Sequence, residues 1–335
     1  MNYLNKKDKA ILLIILSASL VITYNYFHFV EKPNITARMR IHDSIIEREA
    51  PAPYRYRVLV PLATQGLAGL FTEISPLGYR KSWILSYIIY DFAAISLFLA
   101  SLYYFLREWH SRLYSLIGVL FCCAVLPLSL RDHYFQPWSL IESWFFCAAF
   151  LAAYRERYVV LLILTLAASL NRMSGLFIPL IYLAATVGVY SLRSIKDRIT
   201  PGIVGRFILL LAVSVTSLLF LRFLLGWSGN IHSIGYLSEL NRSFPYYAYA
   251  IINIILFGGA WWIFFSAGIK HSDLFSLNML PVISIYIIPV LIFGIWKEVR
   301  LLMPIYPILL SIGLYRFEEI SGLETRHTDR AAGVL

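Results

Sequence analysis

The chain has 335 residues, of which 59% are hydrophobic and only 14% charged, with a formal net charge of +10. A soluble domain of this length has too little interior to hide that much apolar surface, which excludes an ordinary globular enzyme and makes lipid the expected solvent. The basic excess does not point to nucleic acid, because Lys and Arg are scattered in short stretches between apolar runs and form no continuous patch.

Lys6, Lys7 and Lys9 precede an apolar run from Ala10 to Val30. The run is too long for a signal-peptide core and no A-x-A site follows it, so it reads as an uncleaved first span. Further spans are predicted at 84–106, 114–130, 138–153, 158–170, 175–190, 206–227, 247–268, 279–296 and 301–316, several of them short for a crossing that takes about 20 residues. Between the first two lies a long external loop, 31–83. Its segment 57–72 (RVLVPLATQGLAGLFT) is moderately apolar beside polar stretches, the pattern of an interfacial helix. Cys122, Cys123 and Cys147 all fall inside apolar runs, and no CxxC or Cys/His spacing suggests a metal site.

Residues 158–190 read either as one long helix or as a hairpin broken at Asn171, Arg172 and Gly175. A hairpin collects Lys6, Lys7, Lys9, Arg107, Arg112, Arg155, Arg157, Arg193, Lys196, Arg198, Lys270 and Arg316 on one side. A single helix would send the 193–198 cluster to the other side, against the positive-inside bias. The hairpin is preferred, with both termini cytoplasmic. The expected fold is an all-α polytopic membrane protein of about ten transmembrane helices, some short or re-entrant. It forms one transmembrane domain over 1–316, followed by a polar cytoplasmic tail, 317–335.

On this topology the unusual side chains gather outside. The first loop places His42 and Asp43 ahead of Pro51, Pro53 and the run Tyr54-Arg55-Tyr56-Arg57. A carboxylate there suits a general base, and the arginines suit an anionic group; a solvated loop with snorkelling arginines is the plainer account. The second loop, RDHYFQPWSLIES, brings Arg131, Asp132, His133 and Gln136, with Glu142 just inside the next helix. The plainer account of it is a local Arg131–Asp132 pair. Arg172 interrupts an apolar hairpin, where an arginine is costly unless it meets a cavity, an anion or the headgroups. Lys297, Glu298 and Arg300 sit outside against the charge bias, either as a structural pair or as an outer phosphate site. Asp91, about two turns inside the second span, is an intramembrane carboxylate: a functional candidate, or a structural partner for Arg222 or tyrosine hydroxyls.

Four stretches together resemble the membrane glycosyltransferases of the C type, the GT-C superfamily: Asp43 ahead of PYRYRVLVP, then RDHYFQPWSLIE, LNRMSGLFIPL and EVRLLMPIYPILL. The resemblance implies a polyprenyl-phosphate-linked sugar donor and a glycan or lipid-linked acceptor at the non-cytoplasmic face of, most naturally, a bacterial inner membrane. It also implies Asp43 as the base, with Asp132 and His133 as further catalytic candidates. Arg55, Arg57, Arg131, Arg172, Lys297 and Arg300 become phosphate ligands, with His42, Gln136, Glu142 and Glu298 lining the site. No DxD motif is present, and a divalent cation stays open as a cofactor. A transporter or lipid flippase is the main alternative, which would favour midplane charges and broken, repeated helices. A polymerase of O-antigen type is a nearer one.

Overall fold

A computed structural model describes residues 6–131, 133–188, 198–227, 239, 241, 243, 246–259, 261–296 and 298–321. Among them regular structure is helical and no strand is present. The first helix, α1 (Lys6–Tyr26), does not end at the expected loop. It runs through a π turn at Phe27–Glu31 and a 3-10 turn at Lys32–Asn34 into α2 (Ile35–Ile46). Pro33 has no N–H to give to the preceding turn, and the ladder absorbs the loss locally: Lys32 N–H bonds Phe27 O and Asn34 Nδ2 donates to Val30 O at 2.8 Å. The predicted loop 31–83 is therefore helical over its first part, which corrects the sequence reading. The expected interfacial helix is present as α3 (Leu59–Ile74), packed along α4 (Tyr79–Leu106).

The chain continues through α5 (Arg112–Leu130), α6 (Trp138–Tyr154), α7 (Tyr158–Asn171), a 3-10 turn at Met173–Phe177, α8 (Ile178–Val187) and α9 (Pro201–Leu225). Then follow α10 (Tyr246–Gly258), α11 (Trp261–Gly268), α12 (Leu274–Phe293), a 3-10 turn at Val299–Ile305 and α13 (Tyr306–Ser321). Ser111, Thr200 and Asp273 cap α5, α9 and α12 by accepting from backbone N–H groups.

Among the described residues, six helical stretches are long and apolar enough to cross a membrane, or seven if the bent pair Ala248–Gly258 and Trp261–His271 counts as one. The protein is an integral membrane protein on this ground, and lipid-facing Leu13, Leu20, Ile208 and Phe223 are exposed, as that solvent requires. The expected count of about ten is not reached. The segments read as spans at 138–153, 158–170 and 175–190 form apolar helices shorter than a full crossing. The reason is visible in α6, most of whose residues are buried by neighbouring helices. Such an enclosed helix reads as apolar in sequence without needing to traverse lipid alone.

Of the 158–190 segment, the described residues 158–188 fold as a hairpin. Arg172 adopts extended backbone between α7 and the next turn, and Asn171 Nδ2 donates to Trp138 O at 3.1 Å. Gly175 makes the return possible, since a Cβ there would lie 2.6 Å from Ser169 N and 2.8 Å from Ala168 C. Chain direction then gives the bundle two ends. One gathers Asp8 with Arg112 at 3.0 Å, Glu108 with Arg155, and His110 with Glu318 at 3.2 Å. The other holds the loops 47–58, 133–137 and 171–174 and the turn at 298–305. A large apolar core fills the bundle, and a smaller one, made of Ile45, Tyr54, Val60, Ala68, Trp83, Tyr87 and Trp138, forms a cap at this second end.

Candidate functional site

Arg57 ends the Tyr54–Tyr56 turn and points under the cap. Its Nη1 donates to Gln136 Oε1 at 3.1 Å, and its guanidinium carbon lies 4.8 Å from the Trp138 ring centroid and 5.2 Å from that of Tyr54. Arg57 is only 9% exposed, yet among the described residues no carboxylate reaches it within 4.0 Å. Burial and the nearby charge of Arg172 push its guanidinium down to about 9.

Arg172, Glu142, Glu298 and Arg300 surround this arginine electrostatically, each acting on Arg57 or on its stacking partner Tyr54. Glu142 accepts from Arg172 Nη1 at 2.6 Å and from Ser174 Oγ. Desolvation opposes the Arg172 charge, but Glu142 beside it prevails and raises its value. Glu298 Oε2 lies 2.6 Å from Arg300 Nη2. Arg131, Glu298 and Arg300 line a cavity of about 300 Å³, whose other walls include Val30, Pro127, Leu128 and Val299. A charged rim on an apolar wall matches an amphiphile with an anionic head.

The comparisons with known proteins are silent. No protein-family model, curated protein or solved structure matches the chain. Only the site's own chemistry therefore bears on function.

Not every residue singled out in the sequence joins this cluster. Asp43 lies exposed on α2, in an open groove of about 610 Å³ with Arg40, Glu47, Glu49 and Arg80. His42, one residue earlier, is buried and occupied: its Nε2 donates to Gln65 Oε1 at 2.9 Å and its Nδ1 accepts from Tyr87 Oη at 2.9 Å. Arg55 ties chain segments together through the carbonyls of Ala50 and Leu225, at 2.9 and 3.5 Å. Asp132 and Lys297 lie outside the described residues. No group of three or more His, Cys, Asp or Glu gathers in metal-binding fashion among the described residues.

His133 turns away from the arginines. Its Nε2 donates to Asp91 Oδ1 at 3.2 Å, and burial lowers its affinity for a proton although Asp91 works the other way. Asp91 Oδ2 accepts from Arg38 Nη1 at 3.3 Å, and the same nitrogen lies 2.7 Å from Glu31 Oε1. Asp91 thus pairs with Arg38 and His133. Arg222, the partner weighed from sequence, instead lies over the rings of Tyr56 and Trp227. Glu31 and Arg38 were missed by sequence reasoning. Once α1 is known to continue into α2, their spacing of two helical turns puts them on one face.

Proposed function

We propose that this chain is a membrane glycosyltransferase moving a sugar from a polyprenyl-phosphate donor to a glycan or lipid-linked acceptor at the non-cytoplasmic face. The observation that carries the reading is Arg57, a buried guanidinium stacked on Trp138 and Tyr54 without a carboxylate partner among the described residues. A desolvated arginine is costly unless an anion meets it, and planar donors suit phosphate. Arg300, whose charge acts on Arg57, lines with Arg131 an amphipathic cavity that suits the phosphate and first isoprene units of such a donor.

A sugar–phosphate bond needs little acid assistance, because the leaving phosphate already tolerates negative charge. Catalysis then consists of clamping that phosphate, positioning the acceptor hydroxyl and removing its proton as an oxocarbenium-like centre develops. Asp43 is the proposed base; it faces a groove of its own, and the role requires that groove to open onto the arginine site when donor and acceptor bind. The reading places the arginine end of the bundle outside a bacterial inner membrane, with both termini cytoplasmic.

Purified protein in lipid nanodiscs, incubated with polyprenyl-phosphate-linked sugars and candidate glycan acceptors, tests the reading through release of polyprenyl phosphate. Absence of release with every donor would overturn it. One observation favours a second reading, a transporter: α10 and α11 are a helix pair bent by 68° at a short break, either a broken span or a re-entrant loop. Broken helices of that kind bind solutes in carriers. Solute uptake into proteoliposomes without sugar transfer would select it.

A further inference from the structure

Two buried carboxylates share one guanidinium at the cap end of the bundle. Arg38 Nη1 lies 2.7 Å from Glu31 Oε1 and 3.3 Å from Asp91 Oδ2, while Asp91 Oδ1 meets His133 Nε2 at 3.2 Å. Arg38 also stacks 3.9 Å over Tyr87 and donates to Tyr26 Oη at 3.3 Å. None of Glu31, Arg38, Asp91 and His133 is more than 1% exposed.

Counting charge, two carboxylates and one guanidinium leave one surplus negative charge when the imidazole is neutral. A net charge sealed from solvent is far costlier than a matched set, and one proton removes it. The other titratable or charged groups felt by the network are Tyr26 from α1, His42 from α2, Tyr87 and Tyr90 from α4, and Arg300 from the Val299–Ile305 turn. Arg300 has its own carboxylate in Glu298, and His42 is hydrogen-bonded to Tyr87 and Gln65.

A short path joins the network to the arginine site. The carbonyl of His133 accepts from Gln136 N–H at 3.0 Å, and Gln136 Oε1 accepts from Arg57. Trp138, on which Arg57 stacks, stands two residues further on. The segment 133–137 is therefore gripped from one side by Asp91 and grips Arg57 on the other.

We propose that the Glu31–Arg38–Asp91–His133 network takes up one proton from solvent, and that the neutral form holds the segment 133–137 so that Arg57 is presented to its anion. The coupling to Arg57 rests on the anion-site reading above; the proton does not. Loss of the proton leaves two carboxylates competing for Arg38, and the His133 tether and the loop slacken. His133 is in this sense a positioning residue.

Hydrogen–deuterium exchange of the 133–136 amides in nanodiscs, corrected for intrinsic rates between about pH 6 and about pH 9, reads the tether directly. Wild-type protection should fall about tenfold across that range, the worth of one charge-assisted hydrogen bond. Glu31→Gln removes the surplus charge without a proton, and its protection should stay level. Glu31→Met does the same while leaving the Asp91–His133 contact in place, should the first variant fold poorly. A level wild type, or variants that fall in parallel with it, would overturn the proton.

Binding of farnesyl phosphate to the same samples reads the coupling. Its affinity should drop about tenfold more in wild type than in Glu31→Gln, a comparison that cancels the titration of the probe and of Arg57 itself. Equal drops would overturn the coupling. Binding indifferent to Arg57→Gln would overturn the anion site and the coupling with it, while the exchange result would still decide the proton.

Discussion

Arg57 lies 4.8 Å above the ring centroid of Trp138, and the residue that accepts its hydrogen bond, Gln136, stands two positions earlier in the same loop. One short stretch thus provides both the floor and the orienting acceptor for a cation delivered by a distant segment. Stacking fixes the plane of the guanidinium, and a single neutral acceptor leaves most of its donors for a ligand.

Arg57→Lys should therefore act nearly like Arg57→Ala. An ammonium keeps the charge but neither stacks as a plane nor offers a two-pronged donor, so donor turnover is expected to fall about 100-fold in both variants. Release of polyprenyl phosphate is the measurement, with Tm recorded to show that folding persists. Near-normal turnover in the Lys variant would show that charge alone suffices.

The depressed value of Arg57, about 9, has a sign that can be followed. Because the folded value lies below the unfolded one, folding disfavours the charged form. That penalty is fully present below about pH 9 and fades as pH rises toward the unfolded value. A bound anion reverses the preference and holds the proton. The Tm increase given by farnesyl phosphate should accordingly be larger near pH 7 than near pH 10 in wild type. A pH-independent increase would remove Arg57 from the binding site.

Glu142→Gln leaves Arg172 buried without its carboxylate, and Glu142 is only 3% exposed at the side chain. Breaking such a pair from one side is expected to cost about 3 kcal/mol, and Arg172→Met in the same chain should recover part of it. Thermal unfolding in detergent measures both. A neutral Glu142→Gln would mean that Arg172 already has another anion.

Asp43→Asn should fold with unchanged Tm, since the side chain is exposed on α2, and lose transferase turnover by about 100-fold. Full activity in the folded variant would remove Asp43 as the base.

The topology can be read with a membrane-impermeant maleimide after Cys122, Cys123 and Cys147 are replaced. Arg48→Cys lies at the cap end and Glu156→Cys at the opposite turn, both at exposed positions. Intact cells should label the first and not the second. The reverse pattern would place the arginine site inside.

Much of the architecture was legible because lipid is an undemanding reader: a long apolar run between charges announces a membrane helix wherever it occurs. The hairpin at Asn171–Gly175 and the helix near Leu59 followed from the same logic, with charge bias choosing between topologies. The count of crossings did not follow, since α6 is apolar through enclosure by other helices and hydropathy cannot distinguish a protein neighbour from lipid. The site was half legible. Arg57, Arg172 and Arg300 stood out as charges out of place, and they do share one neighbourhood. Asp43 stood out as well, yet it faces a separate groove. Glu31 and Arg38 gave no signal while they were read as loop.

The sequence by itself determined that the chain lives in a membrane, because long apolar runs between charges are a local signal along the chain. Only the tertiary structure decided which charges meet. Arg38 with Asp91, Arg172 with Glu142 and Arg57 with Trp138 are pairings across distant segments, and each depends on how the helices pack.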